Sequence, residues 1–307
     1  MNNSRTTMDG SPATARRTTA SQGIAEQQGG AVTDAPAPQP AQFAYPPIVW
    51  RAVRSELIKF RSLRSNLWLF AAAIGFLLVL GPIQALGSVL AESETTITDS
   101  ASAVSTALTG ATPSTLLLGV LGVLLVAGEY APRSIRTTFM TLPRRGLVVA
   151  AKSVAVSLII VIAGTMAVAS AVTVSMVVLA RSDLHVSWAS AHMLRVSAAT
   201  VWYLVGWGVL GLAAGWVTRS KLGGAAVLMT VMLVLAPVLG LIPGRVGEVV
   251  VALLPSSAGA AMISTHPATA DIAGVTVNIP VFGFVLWTLY VVLATIGAAV
   301  TVLHRDA

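Results

Sequence analysis

Residues 153–180 read SVAVSLIIVIAGTMAVASAVTVSMVVLA, a long run without one charged side chain. A helix of about 20 apolar residues crosses the hydrocarbon core of a bilayer, so this run is long enough to do so. In lipid, backbone N–H and C=O groups must pair within the segment, which favours a helix over an open strand. The run therefore predicts a membrane-spanning helix.

Similar blocks recur along the chain, at about 67–90, in the stretch ending at Gly128, and at about 195–217, 222–242 and 280–303. Hydrophobic residues make up 55% of the chain and charged residues only 10%, whereas soluble domains carry about 25% charged residues. Short alternating segments typical of a membrane barrel are not seen. We therefore predict an all-α polytopic membrane protein with six spans.

Two segments leave alternatives open. The second span begins either at Thr112-Pro113, which resembles a helix start, or nearer Val104 with a kink at Pro113. The uncharged segment 249–270 is interrupted by Pro255, Ser256, Ser257, Ala258 and Gly259. A broken apolar segment is more often re-entrant than spanning, so we expect a re-entrant element before the last span.

The N-terminal region divides into a tail and a helix. Residues 1–46 are rich in Ala, Thr, Ser, Gln, Gly and Pro, which predicts a disordered tail ahead of a membrane domain at 47–307. No apolar signal-peptide core occurs in the tail. From 48 to 65, one apolar stripe holds Val49, Val53, Leu57 and Phe60, and the remaining surface holds Arg51, Arg54, Lys59, Arg61 and Arg64.

This pattern predicts an amphipathic helix in the headgroup layer. Glu56 precedes Lys59 by three residues, a mildly favourable pair. The alternative is that the segment only supplies positive charge beside the first span.

Positive charge predicts the orientation. With the N-terminus inside, sixteen of the 19 Lys and Arg residues fall on cytoplasmic segments, and Arg181, Arg195 and Arg245 fall outside. Because cytoplasmic loops are enriched in Lys and Arg, we expect both termini in the cytoplasm. This clustering beside hydrophobic blocks also argues against nucleic-acid binding.

Several kinds of chemistry find no support. The chain has no cysteine, no Gly-x-x-x-x-Gly-Lys-Ser/Thr phosphate loop and no His-Glu-x-x-His, so no ATP site, thiol chemistry or zinc-protease site is predicted. Ser256 or Ser257 with His266 would suit a hydrolase, but serines beside such breaks usually cap helices. Asp183, His185 and His192 would suit a metal, but short polar loops are usually only solvated.

Ionisable residues are missing from the centres of the spans. Ion-coupled transporters use such groups as relays or ligands, so this absence favours a protein that receives its energy from elsewhere. The fourth span also holds Gly206, Gly208, Gly211 and Gly215. Small residues allow helices to pack closely, either within this chain or between two copies.

The segment from Gly128 to Arg145 lies between the second and third spans. Pro132 and Pro143 bound a short predicted helix at about 132–141, which exposes Arg133 and Arg136 and is entered through Glu129. Such a helix is either a docking surface for a soluble partner or an ordinary positively charged loop.

Three sets of residues give the chain a family resemblance. The first is Arg54-Ser-Glu-Leu-Ile-Lys-Phe-Arg-Ser-Leu-Arg-Ser65. The second comprises Gly128-Glu-Tyr130, Ile135-Arg-Thr-Thr138, Pro143-Arg-Arg145 and Ala151-Lys152, and the third is Leu254-Pro-Ser-Ser-Ala-Gly259. In order and spacing, over residues 48–305, these resemble the type-2 permeases of ATP-binding-cassette transporters in high-G+C Gram-positive bacteria.

The resemblance implies a six-helix subunit that pairs with a second permease subunit and with cytoplasmic ATPase subunits, which bind the ATP and Mg. It implies an interfacial helix that carries Arg54, Glu56, Lys59, Arg61 and Arg64, and a re-entrant element with Pro255, Ser256, Ser257 and Gly259. The ATPase-coupling segment would hold Glu129, Tyr130, Arg133, Arg136, Arg144 and Arg145. Family members often have Gly in the turn where this chain has Pro132-Arg133.

Three functions follow as hypotheses. The first is an export permease driven by a partner ATPase, with no enzymatic site of its own and an amphipathic or hydrophobic cargo. The second is a non-transporting anchor or assembly protein, which would need no ATPase. The third is an intramembrane enzyme, which would need polar catalytic groups at membrane depth.

Overall fold

The computed structural model describes residues 48–90, 100–130, 145–180, 191–265, 269–272 and 275–305. Within these ranges the chain is almost entirely helical. The elements are α1 (Ile48–Ser62), α2 (Arg64–Leu90), α3 (Ser100–Ala107), α4 (Ala111–Tyr130), α5 (Arg145–Leu179), α6 (Ala191–Thr218), α7 (Lys221–Met229), α8 (Leu235–Leu239), α9 (Arg245–Ala252), α10 (Pro255–Met262), β1 (Thr269–Ile272), β2 (Val275–Asn278) and α11 (Ile279–Arg305).

Six helices are long and apolar enough to cross a membrane, which confirms the predicted all-α polytopic class. They are Arg64–Leu90, Ala111–Tyr130, Val148–Leu179, His192–Thr218, Lys221–Leu239 and Ile279–His304. The fifth combines α7, a π-helical turn at Thr230–Val234 and α8. The predicted tail, residues 1–46, lies outside the described residues.

The helix predicted to be interfacial is separated from the first span by one residue. The sequence predicted a helix over 48–65, but α1 ends at Ser62 and α2 begins at Arg64. The carbonyl of Leu63 accepts hydrogen bonds from the backbone N–H groups of Asn66 and Leu67, at 3.1 and 3.2 Å. Leu63 therefore caps the start of α2, and it is the only residue that joins the two helices.

The second span is interrupted rather than kinked. α3 ends at Ala107, and α4 starts afresh at Ala111, with Pro113 in its first turn. The 20 residues of α4 extend about 30 Å at 1.5 Å per residue, which matches the hydrocarbon thickness. A Cβ at Gly110 would collide with the backbone of Phe76 on α2. The break therefore lets this turn lie directly against the first span.

The centre of the bundle is the contact between α4 and α6, and it depends on glycine. A Cβ at Gly211 on α6 would overlap the carbonyl oxygen of Gly119 on α4, and one at Gly122 would overlap that of Gly208. Gly215 packs against Val123 on α4. The small residues predicted in the fourth span thus bring two helices of the same chain together.

One end of the bundle gathers Asn66, Glu129, Lys152 and Lys221, and we call it the charged end. α9 and α10 lie near the opposite end, where Arg195 at the start of α6 donates to the carbonyls of Met262 and Ser264, at 3.3 and 2.7 Å. The guanidinium therefore caps the C-terminal end of α10.

The segment predicted to be re-entrant consists of two helices that are too short to cross a membrane. α9 and α10 have eight residues each, or about 12 Å at 1.5 Å per residue. A Cβ at Gly259 on α10 would overlap the ring of Tyr203, which lies well inside α6. α10 therefore packs within the bundle. After it, β1 and β2 form a short antiparallel hairpin, which no pattern in the sequence predicted.

We predict that Gly211→Ala destabilises the protein by about 2 kcal/mol, since the added methyl must displace the Gly119 backbone. Gly75→Ala is the matched control, because nothing lies within 4 Å of its Cβ position. The unfolding midpoint in detergent should fall for Gly211→Ala and stay constant or rise for Gly75→Ala. Equal midpoints for the two variants would contradict this packing.

Candidate functional site

The predicted interfacial helix, α1, docks on α5 through small side chains. Ala52 and Val53 on α1 pack against Ala151 and Ala155 on α5, and all four are buried. Alanine at both positions of α5 lets the two helix backbones approach closely. At helical spacing, Glu56 lies one turn beyond Ala52 on the same face. The docking of α1 therefore carries the Glu56 carboxylate into the protein, where only 8% of it is exposed.

Lys152 on α5 forms an ion pair with the Glu56 carboxylate. Its ammonium lies 2.5 Å from Glu56 Oε2 and 2.9 Å from Glu129 Oε1, and it donates to the carbonyl of Leu125 at 3.3 Å. The three donors of a lysine ammonium thus have three acceptors. Only 3% of the Lys152 side chain is exposed, so this pairing is needed to offset the loss of hydration.

Lys59 contacts both carboxylates from the solvent side. Its Nζ lies 2.6 Å from Glu56 Oε1 and 3.4 Å from Glu129 Oε1, and its side chain is 41% exposed. Charges therefore alternate around Glu56, Lys152, Glu129 and Lys59, and their sum is zero. We call these four residues the charge ring.

The charge ring shifts the titration of its α1 members. Burial alone would raise the pKa of Glu56, but the attraction and hydrogen bonds of Lys152 and Lys59 outweigh it and lower that pKa. Burial alone would lower the pKa of Lys59, but its hydrogen bonds and ion pairs with Glu56 and Glu129 raise it. Both groups therefore stay charged over the whole physiological range.

The charge ring connects three elements. Glu56 and Lys59 come from α1, Glu129 from the last turn of α4, and Lys152 from the first turns of α5. Residues 131–144, between α4 and α5, include most of the predicted coupling segment. The two helix ends that bound this segment are thus both fixed to the interfacial helix.

Tyr130, next to Glu129, contacts the turn between α6 and α7. Its ring meets that of Trp216 edge-on at 6.1 Å, and the guanidinium of Arg219 lies 5.5 Å from its centre. Arg219 has a φ of 53°, which lets α6 end and α7 begin within two residues. Ser220 then caps α7 by accepting from the N–H of Gly223.

The structure brings together part of the predicted site. Glu56 and Lys59, assigned to the interfacial helix, meet Glu129, assigned to the coupling segment, while Arg54, Arg61 and Arg64 lie exposed on the surface. Pro255 begins α10, which also holds Ser256, Ser257 and Gly259. Arg133, Arg136 and Arg144 lie outside the described residues, as does the side chain of Arg145.

The sequence pattern did not indicate Lys152 as the centre of this site, and it paired Glu56 only with Lys59. The available signal was a lysine between Ala151 and the apolar run of the third span. A charge at such a position must find a partner, and the pattern along one chain does not show which one.

The alternative sites gain no support within the described part of the chain. There, no three His, Asp or Glu side chains come together in a way that could hold a metal ion. Of the residues considered for a metal or a hydrolase, Asp183, His185 and His266 lie outside the described ranges.

The chain matches no protein-family model and no curated protein. Its resemblance to the type-2 permeases therefore rests on the quoted residues alone.

We predict that Lys152→Met destabilises the protein by about 3–5 kcal/mol, because it leaves the buried Glu56 carboxylate and the partly buried Glu129 carboxylate with only the half-exposed Lys59 as a cation. Lys59→Met should cost less than about 1 kcal/mol, since Lys59 is partly exposed. Chemical unfolding of both variants in the same detergent checks this. Adding Glu56→Gln to Lys152→Met should recover part of the loss. Equal losses for the two single variants would show that the ring is not a buried structural unit.

A second prediction concerns pH. Because the folded-state pKa of Glu56 is lowered from its ordinary value of 4.5, its contribution to stability is complete above that value and is lost as pH falls through the folded-state pKa. Because the pKa of Lys59 is raised from 10.5, its contribution is lost only as pH rises beyond that value.

Thermal unfolding of the wild type and Glu56→Gln tests the acid side. The stability advantage of the wild type should be constant near neutrality and shrink as pH falls below about 4.5. An advantage that persists unchanged into strong acid would contradict the lowered pKa.

Proposed function

We propose that this chain is the membrane subunit of an ATP-binding-cassette exporter in a bacterial cell membrane, with both termini in the cytoplasm. Two such subunits would assemble with two ATPase subunits that hold the ATP and Mg. The charge ring is the observation that carries the proposal, since it fixes the interfacial helix to both ends of the segment resembling a coupling helix.

The ring suggests how energy would enter the membrane domain. ATP binding would draw the ATPases together and push on residues 129–145. Glu129 and Lys152 flank residues 131–144. Because Lys152 contacts Glu56 and Glu129 contacts Lys59, α1 would move with α4 and α5. Access to the cargo would then switch as the helix bundles tilt.

The composition of the spans supports an external energy source. The central parts of the six spans contain no Asp, Glu, Lys, Arg or His, although ion-coupled transporters use such groups. The same apolar surroundings suit an amphipathic or hydrophobic cargo.

Several spans expose apolar surface that a second copy of the chain would cover. Only 11% of the fifth span is buried within the chain, and 22% of the first and last spans. These faces require lipid or another protein, and pairing of two permease subunits would cover some of them.

Purification from the native host after mild crosslinking tests the assembly. We expect an ATPase to be recovered in equal amount, in a complex with two copies of each chain. Glu129→Gln should reduce the ATP hydrolysis of the reconstituted complex roughly fivefold or more, because it weakens the coupling between the two parts. Glu248→Gln, on α9 near the opposite end, is the control and should leave hydrolysis unchanged. Recovery of the chain without any ATPase would refute the proposal.

A further inference from the structure

A cavity of about 460 Å³ lies beside the charge ring at the charged end. Its wall includes the junction between α1 and α2, the last turns of α4 and the first residue of α7, with Leu63, Ser65, Asn66, Gly128 and Lys221 among the lining residues. The cavity therefore lies where the spans meet the interfacial helix.

The cavity carries one excess positive charge. Three lysines and two glutamates line it, and the charge ring accounts for two of each. The remaining charge belongs to Lys221, which forms no ion pair with any residue in the described ranges. Its side chain reaches across Gly128, where an added Cβ would lie 4.0 Å from Lys221 Cε.

The N-terminus of α2 lies in the wall of the same cavity. Ser65 and Asn66, in its first turn, line the cavity, and the first N–H groups of a helix have no carbonyl partner within that helix. The helix dipole also places partial positive charge at this end, an arrangement that binds phosphate and other anions in many proteins.

Asn66 independently indicates a missing acceptor. Its side chain lines the cavity, only 4% of the residue is exposed, and its amide Nδ2 has no hydrogen-bond acceptor within the described chain. A buried amide donor without an acceptor costs about 1–3 kcal/mol in proteins. The accessible surface of Nδ2 is below 1 Å², so a phosphate oxygen in the cavity would satisfy it once the side chain turns towards the cavity.

The surroundings favour a lipid phosphate over a free one. Leu63, which lines the cavity, is 53% exposed, and Trp68, three residues beyond Ser65 on α2, is 76% exposed. Tryptophan is enriched where membrane proteins cross the headgroup layer. Acyl chains could lie along this apolar surface of α2 while the phosphate enters the cavity. The excess positive charge selects a lipid with a net negative headgroup.

We infer that this cavity binds the phosphate of an anionic phospholipid from the same side of the membrane as the charge ring. Lys221 supplies the charge, α2 supplies backbone N–H groups, and Asn66 supplies the buried donor. This site does not depend on an ATPase partner or on transport.

Native mass spectrometry of the full chain in detergent, titrated with phosphatidylglycerol or phosphatidylcholine, tests the inference. We expect one tightly held phosphatidylglycerol and weaker retention of phosphatidylcholine. Lys221→Gln should weaken phosphatidylglycerol binding roughly tenfold, because it removes a charge-assisted contact. Asn66→Ala should also weaken phosphatidylglycerol binding. Arg54→Gln removes an exposed charge on α1 outside the cavity and should change binding less than about twofold.

Three results would overturn the inference. An equal loss in Arg54→Gln and Lys221→Gln would mean that lipid is held by general surface charge. Equal retention of both lipids would remove the selectivity for a negative headgroup. Displacement of phosphatidylglycerol by millimolar inorganic phosphate, with the same dependence on Lys221, would assign the cavity to a free anion.

Discussion

The ammonium of Lys152 is buried and therefore needs hydrogen-bond acceptors of opposite charge. The acceptors that it contacts determine how the helices at the charged end are arranged. A buried charge is tolerated only when it is paired and hydrogen-bonded. The three acceptors come from α1 and α4, two elements that are distant from Lys152 in sequence. The docking of α1, the end of α4 and the start of α5 therefore form a single arrangement.

The pairing determines geometry more than it adds net stability. Replacement of buried ion pairs by apolar residues is often neutral, whereas loss of one partner is costly. The apolar contacts of α1 with α5 involve mainly alanine and valine, which would allow neighbouring registers. Only the register that brings Glu56 to Lys152 satisfies both charges. The ring thus selects one position for a helix that lies outside the spans.

The sequence predicts the spans well because lipid imposes a simple rule on composition. Charge-free runs locate all six helices, and the runs of glycine in the fourth span locate its closest contact. The break before α4 is less visible, since residues 104–128 carry no charge and Gly110 is needed only because Phe76 lies against it. The hairpin of β1 and β2 consists of two four-residue strands, too short for a period-two pattern to be recognised.

The site was predicted in separate parts. Glu56, Lys59 and Glu129 were each predicted to be site residues, but they were assigned to different elements. The reason is that amphipathic periodicity describes one helix at a time. The apolar stripe drawn through Val53 and Phe60 did not include Glu56, although Glu56 lies on the buried side. Charges that pair across 70 or 96 residues depend on how helices pack, and that information is not local in the chain.

The single residue between α1 and α2 has a mechanical consequence. Only the two backbone torsions of Leu63 separate these two helices, so α1 is joined to the first span by a one-residue hinge. A displacement of α1 must reach the first span as a rotation about that hinge. Since Ala52 and Val53 also hold α1 against α5, a displacement of α1 would be transmitted to both the first and the third span.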